Sequence, residues 1–273
     1  MSETPSEPVK ASQFALRHFV WIAIGAVLLV AIGGVLIVWM PYQREQRIAR
    51  EIESHGGGVM VEYCGPDWIP AAARNRLVFL NRIYCVDLTS GIVSAELLSQ
   101  LQSVTCLKWL ELNDTQITDA GMQHLKGLKR LESVSLINTQ VTDASLAHLN
   151  GLTNLKSLAL RRTKVTDAGL EHLQKLTNLY HLDLRNTQVT DAGLKHLTGL
   201  PRLKWLELNN TQVTDAGLEH LKGLTNLRML CVNRTQVTAE GEAMLQKALP
   251  NCQFACSCET PDELDSTPAM MPR

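Results

Sequence analysis

TQITDAG (Thr115–Gly121), TQVTDAS (Thr139–Ser145), TKVTDAG (Thr163–Gly169), TQVTDAG (Thr187–Gly193 and again Thr211–Gly217) and TQVTAEG (Thr235–Gly241) are six copies of one phrase. Each starts 24 residues after the one before. A fixed period of this length marks a repeat architecture, in which no unit buries its own apolar face and stacking supplies the core. A leucine-spaced hexapeptide precedes each phrase: LKWLEL from Leu107, LESVSL from Leu131, LKSLAL from Leu155, LYHLDL from Leu179, LKWLEL from Leu203 and LRMLCV from Leu227, with a degenerate first copy, IYCVDL, from Ile83. Alternate side chains of a short strand point inward, so these leucines stack as ladders from unit to unit.

The rest of the phrase reads as turn and helix. Its first threonine places a hydroxyl where it can bond the backbone of the turn. The second, as in Thr166 before Asp167, is suited to cap a helix, and the aspartate complements the helix dipole. Ala168 and Gly169 are small enough for adjacent coils to approach closely, and Leu170, Leu173 and Leu176 share one helical face. The predicted fold class is therefore α/β: a solenoid of about eight strands, with a parallel sheet on its concave side and short helices on its convex side. One transmembrane helix is expected to precede it.

That helix is read from residues Phe19 to Met40, which contain no charged side chain. At 1.5 Å per residue they span roughly 33 Å, enough for a hydrocarbon core. Trp21 and Trp39 stand near the two ends, as interfacial rings do, and Pro41 ends the run. The flanks, Lys10 and Arg17 before and Arg44, Arg47 and Arg50 after, do not fix an orientation. The expected organisation is an N-terminal tail (1–18), the membrane anchor (19–40), a membrane-proximal helix stopped by Gly56, Gly57 and Gly58 (41–58), an N-terminal cap (59–82), the repeats with a C-terminal cap (83–258) and an acidic, proline-containing tail read as disordered (259–273).

Charge is nearly balanced, 26 basic against 27 acidic residues, which argues against a nucleic-acid partner held by bulk positive charge. Seven cysteines include no CxxC pair. Cys252, Cys256 and Cys258 read as part of a capping segment rather than a metal site, and Cys64 and Cys85 leave a disulfide open. Five histidines recur with the period (His124, His148, His172, His196 and His220), on the flank of each helix's leucine face and too far apart for shared coordination. No metal or cofactor is expected.

The pattern TxVTDAGLxHLxxLxxLxxLxL, with IESHGGGVMVEY, GPDWIP and LNRIYCVDL before it and ALPNC after it, resembles the leucine-rich repeat proteins numerous in planctomycete bacteria. The resemblance covers roughly Gln43 to Cys258 and implies a fold more than an activity. The repeat is also similar to those of eukaryotic ubiquitin-ligase substrate receptors, but this chain has no F-box segment and carries a membrane span instead.

Against this regular frame, the outward strand positions vary. One column runs Cys85, Trp109, Ser133, Ser157, His181, Trp205, Met229, and the next Asp87, Glu111, Ser135, Ala159, Asp183, Glu207, Cys231. Arg161, Arg162 and Arg185 add a basic cluster. Exposed aromatics flanked by charges are typical of binding hot spots. The candidate partner-binding residues are Trp109, Glu111, Arg161, His181, Asp183, Arg185, Trp205, Glu207 and Met229. Catalysis is not expected: His181 and Asp183 share a strand face without a positioned nucleophile, and there is no glycine-rich phosphate loop. The functional expectation is a membrane-anchored module that binds a protein partner on the concave face. The alternatives are a structural envelope spacer and, less favoured, a substrate receptor of the eukaryotic kind.

Overall fold

A computed structural model describes Gly33 and residues 37–254, apart from 68 and 75. The expected N-terminal and C-terminal tails and most of the Phe19–Met40 span lie outside the described residues. Among the described residues, no helix is long and apolar enough to cross a membrane.

Seven equal coils follow from seven leucine hexapeptides. Strands β2 (Asn81–Asp87), β3 (Trp109–Glu111), β4 (Ser133–Ser135), β5 (Ser157–Ala159), β6 (His181–Asp183), β7 (Trp205–Glu207) and β8 (Met229–Cys231) each pair in parallel with the next. Two strands flank them, β1 (Gly58–Tyr63) and β9 (Gln253–Phe254), giving one nine-stranded sheet in strict chain order. The register aligns Cys85, Trp109, Ser133, Ser157, His181, Trp205 and Met229 as one row, as the repeat spacing predicts. On the inward side the matching row is Val86, Leu110, Val134, Leu158, Leu182, Leu206 and Leu230, all buried. Burying such a side chain contributes about 1.5–3 kcal/mol.

Short helices carry the chain back from each strand. They span Ala95–Leu101, Asp119–Met122, Asp143–Ala147, Asp167–Leu170, Asp191–Leu194 and Asp215–Leu221, and the C-terminal one, Ala239–Ala248, is longer. Thr142, Thr166, Thr190 and Thr214 cap their helices by accepting from the amide two residues on. The turn threonines behave as expected: the hydroxyls of Thr115, Thr139, Thr163 and Thr187 each donate to the carbonyl three residues back at 2.7 Å.

Two features of the coil were not anticipated. The first is a left-handed residue just after each strand: Ser90, Asp114, Asn138, Arg162, Asn186, Asn210 and Arg234 all have φ between 54° and 57°. The amides of Asp114, Asn138, Arg162, Asn186 and Asn210 each bond the carbonyl one residue earlier in the next coil. Four of the seven residues are Asn or Asp, which tolerate this conformation, and their side chains also link coils, as in Asn138 Nδ2 to Asp114 Oδ1 (2.6 Å).

The second is a clamp between neighbouring coils. Asp167 accepts from both the amide (2.7 Å) and the hydroxyl (2.6 Å) of Thr190, which lies in the following coil. Asp119, Asp143, Asp191 and Asp215 do the same for Thr142, Thr166, Thr214 and Thr238. The aspartate therefore holds the next unit as well as lying at the start of its own helix. This clamp explains the small residue two places after it. A Cβ on Gly193 would lie 2.4 Å from Asp167 Oδ1, so the glycine makes room for the carboxylate of the preceding coil. Ser145 replaces glycine at one coil, and there its hydroxyl donates to Asp119. Burial pushes the Asp119 carboxyl up, but the bonds from Ser145 and Thr142 outweigh it and hold the group below its ordinary value. The expectation for Ala168 needs correction. It is exposed, as are Ala192 and Ala216, and only the glycine meets the neighbouring coil.

The described helix at residues 37–54 continues through Pro41, which the sequence reading took as the end of the apolar run. Loss of one backbone donor is tolerated within a helix that is otherwise intact. Ile48 and Ile52 are buried in the repeat core, and Gly56 ends the helix at φ 84°. The described residues divide into two compact units, 37–47 with 63–81, and 48–62 with 82–254. Within the smaller unit, the Cys64 amide bonds the Leu80 carbonyl and the Arg74 guanidinium lies 4.9 Å over the Tyr63 ring. Cys85 lies buried in the sheet.

Candidate functional site

The outward row of the sheet sorts the predicted residues into two groups, four strands apart. The first surrounds Trp109 on β3. Its ring meets Tyr84 edge-on, with centroids 5.6 Å apart and planes at 64°. Cys85 is its register partner on β2, and Glu111, two residues further along β3, pairs with Asp87. Burial, with the nearby Asp87 charge, raises the Glu111 carboxyl above its ordinary value. Burial and the same two acidic neighbours push the Cys85 thiol up to about 12, so it is a poor nucleophile.

The second group is a connected network on β6 and β7. His181 bonds Ser157 Oγ through Nδ1 and Glu207 Oε1 through Nε2, both at 3.0 Å. Arg185 bridges the two carboxylates, reaching Asp183 Oδ2 at 2.7 Å and Glu207 Oε2 at 2.9 Å. Asp183 is buried and also accepts from the Arg185 amide, which fixes the turn after β6. Burial pushes the Glu207 carboxyl up, but the His181 hydrogen bond and the positive charges of Arg185 and Arg161 prevail, leaving it below its ordinary value. Trp205 stands between two rings: Tyr180 at 5.7 Å and 70°, and His181 at 6.0 Å and 76°. Met229 follows it in register on β8. Between the two groups, β4 and β5 present only Ser133, Ser135, Ser157 and Ala159, a strip of small side chains.

Of the nine predicted residues, His181, Asp183, Arg185, Trp205 and Glu207 thus join in one cluster, with Arg161 acting on Glu207 through its charge. Trp109 and Glu111 lie at a separate place, and Met229 borders the cluster. The sequence reading missed Ser157 and Tyr180, although the row listing puts Ser157 next to His181. Ser157, His181 and Glu207 have the residue types of a nucleophilic triad, but not its setting. Ser157 is buried, its amide is spent on the Glu132 carbonyl, and Arg185 holds Glu207. A nucleophile needs unspent donors beside it to receive an oxyanion. The relay instead fixes the imidazole against Trp205.

Residues 177–237 match a family model for the leucine-rich repeat, and residues 105–126 and 151–173 match a second model for the same repeat. Among solved structures, an internalin (inlF) from Listeria monocytogenes aligns at 28% identity with a TM-score of 0.50. That alignment covers 58% of this chain and 43% of the other. An internalin C2 (inlC2) from the same species aligns at 27% identity with a TM-score of 0.53, covering 66% of this chain and 72% of the other. This chain thus spans less than half of the first internalin structure. No curated protein matches the sequence. The repeats are leucine-rich repeats and the fold is a leucine-rich repeat solenoid, a class that commonly mediates protein–protein interaction.

Proposed function

We propose that this chain is a membrane-anchored recognition module that binds a protein partner on the outward face of its sheet. The observation that carries the reading is the preorganisation of Trp205. A half-buried indole is held edge-on by Tyr180 and His181, and His181 is itself fixed by Ser157 and Glu207. A large aromatic already locked in place loses little side-chain entropy on binding, which is the character of an interface anchor. The strip of small residues on β4 and β5 leaves room beside it for a partner's side chains. Membrane attachment through Phe19–Met40 is supported by Ile37, Trp39 and Met40, large apolar side chains exposed on the described end of that segment.

The test places a photo-crosslinking amino acid at Ser133 or Met229 on the outward face, and at Gln174 on the coil returns, in the full chain expressed in its native cells. One protein should crosslink from the first two positions and not from the third, and Trp205→Ala should abolish that product. Equal crosslinking from all three positions, or a product indifferent to Trp205→Ala, overturns the reading.

A further inference from the structure

Beside the aromatic cluster, on the segments that lead into the strands, lies a pocket of about 350 Å³ lined by Lys156, Asn178, Tyr180, Arg202, Lys204 and Asn226. Three of the six residues are cations and none is acidic, in a chain whose formal net charge is −1. The cations differ in how far they are already neutralised. Lys156 is paired with Glu132 at 2.5 Å. Arg202 gives one of its five guanidinium donors to Asn178 Oδ1 at 2.7 Å. The Lys204 ammonium is exposed and makes no hydrogen bond or ion pair among the described residues. Asn178 and Asn226 are held by their own bonds to the carbonyls of Thr153 and Pro201, so the walls are fixed while the Lys204 charge is not.

We propose that this pocket is an anion subsite that receives carboxylate side chains from an acidic segment of a protein partner. The proposal rests on the proposed function and specifies the chemistry of that partner. Tyr180 joins the two places: it lines the pocket and its ring packs edge-on against Trp205. A segment that covers Trp205 thus meets Lys204 and Arg202 within the same contact. Phosphate is the other anion to weigh, and the pocket suits it less well. Phosphate sites gather backbone amides, whereas the amides of Lys156, Tyr180 and Lys204 are all spent in the sheet. What remains is an ammonium and a guanidinium on long stems beside an aromatic wall, which suits carboxylates carried on apolar stems.

The experiment uses the full chain and a fluorescein-labelled hexaglutamate peptide, with affinity read by anisotropy at low salt. Binding should saturate, and Lys204→Glu or Arg202→Glu should weaken it at least about tenfold. Lys164→Glu, the same charge change in the turn before a helix, should weaken it by less than about threefold. Both pocket substitutions are at exposed positions, and an unchanged circular dichroism spectrum verifies that the fold persists. Equal losses at Lys164 and Lys204 reduce the effect to net charge and overturn the site, as does an absence of saturation. Displacement of the peptide by inorganic phosphate at far below the peptide's own carboxylate concentration overturns the choice of occupant. Unlabelled hexaglutamate should displace the labelled peptide with matching affinity; it has no apolar anchor, so it reads the pocket alone. If it binds as expected while crosslinking at the sheet face fails, the proposed function falls and the subsite stands; the reverse result removes only the subsite.

Discussion

The clamp between coils predicts a change of sign. In Asp167→Ala the Thr190 amide and hydroxyl both lose their acceptor, at 2.7 and 2.6 Å. Hydrogen bonds to a charged group contribute about 1.5–3 kcal/mol each, and the half-exposed site puts both at the lower end, so the loss should be about 3 kcal/mol. Gly193→Ala alone forces a methyl to within 2.4 Å of Asp167 Oδ1 and 3.0 Å of Leu170 Cδ1, costing about 2 kcal/mol through displacement of the carboxylate. With both changes the carboxylate is absent, and only a side-chain methyl has to yield. Alanine's helix preference over glycine, about 1 kcal/mol, then makes Gly193→Ala neutral or stabilising. The coupling between the two sites should therefore reach about 2–3 kcal/mol, well above the scatter expected of independent sites. Urea unfolding of the four proteins, followed by far-ultraviolet circular dichroism, measures it. Additivity within about 0.5 kcal/mol would falsify the steric account of the glycine. Gly193→Ser supplies a third reading: its hydroxyl can donate to Asp167 as Ser145 does to Asp119, so it should cost about 1 kcal/mol less than Gly193→Ala.

Other outcomes follow from the same geometry. Arg162→Gly should stabilise the chain by about 1 kcal/mol in urea melts, because Arg162 is held at φ 56° where a Cβ is unfavourable. Thr187→Val should cost about 1 kcal/mol, since it leaves the buried Leu184 carbonyl without the hydroxyl 2.7 Å away; an unchanged midpoint would show that the bond is dispensable. Glu207 and Glu111 should respond to pH with opposite signs. The folded Glu207 value lies below 4.5, so its stabilisation is present above that value and is lost as the pH falls through the folded one; Glu207→Gln should destabilise at pH 7 and converge on wild type in acid. The folded Glu111 value lies above 4.5, so its charged form is unfavourable at neutral pH. Glu111→Gln should stabilise there, with the gain fading as the pH falls through the raised value towards 4.5. Unfolding midpoints across the two pH ranges check both.

The register was legible because the period is constant: with 24 residues per coil, Trp109, His181 and Trp205 must fall on one row, and they do. The hydrogen bonds of the turn threonines were legible for a similar reason, since the partner is only three residues away. The clamp was not, because a reading along the chain assigns Asp167 to its own helix, whereas its partners lie 23 residues further on. The left-handed position escaped because its residue types vary, with Ser90, Arg162 and Arg234 concealing the Asn and Asp preference. At the candidate site the members of the row could be listed, but their connections could not. Arg185 turning back to bridge Asp183 and Glu207 is a matter of side-chain conformation, which periodicity does not encode.

Each joint between clamped coils is complete in itself, made by one aspartate, one threonine, one left-handed residue and one layer of leucines. A duplication or deletion of 24 residues within that run re-forms a joint of the same kind, so a change in copy number leaves the repeated frame of clamp, turn and leucine layer whole. What it changes is distance. Trp109 and Trp205 stand four strands apart, about 19 Å at the usual strand spacing. One coil added between β4 and β5 would move the two aromatic groups apart by a single strand spacing and leave each intact. The array behaves as a ruler with fixed graduations, on which recombination can reset the span between two contact points in whole steps without redesigning either one.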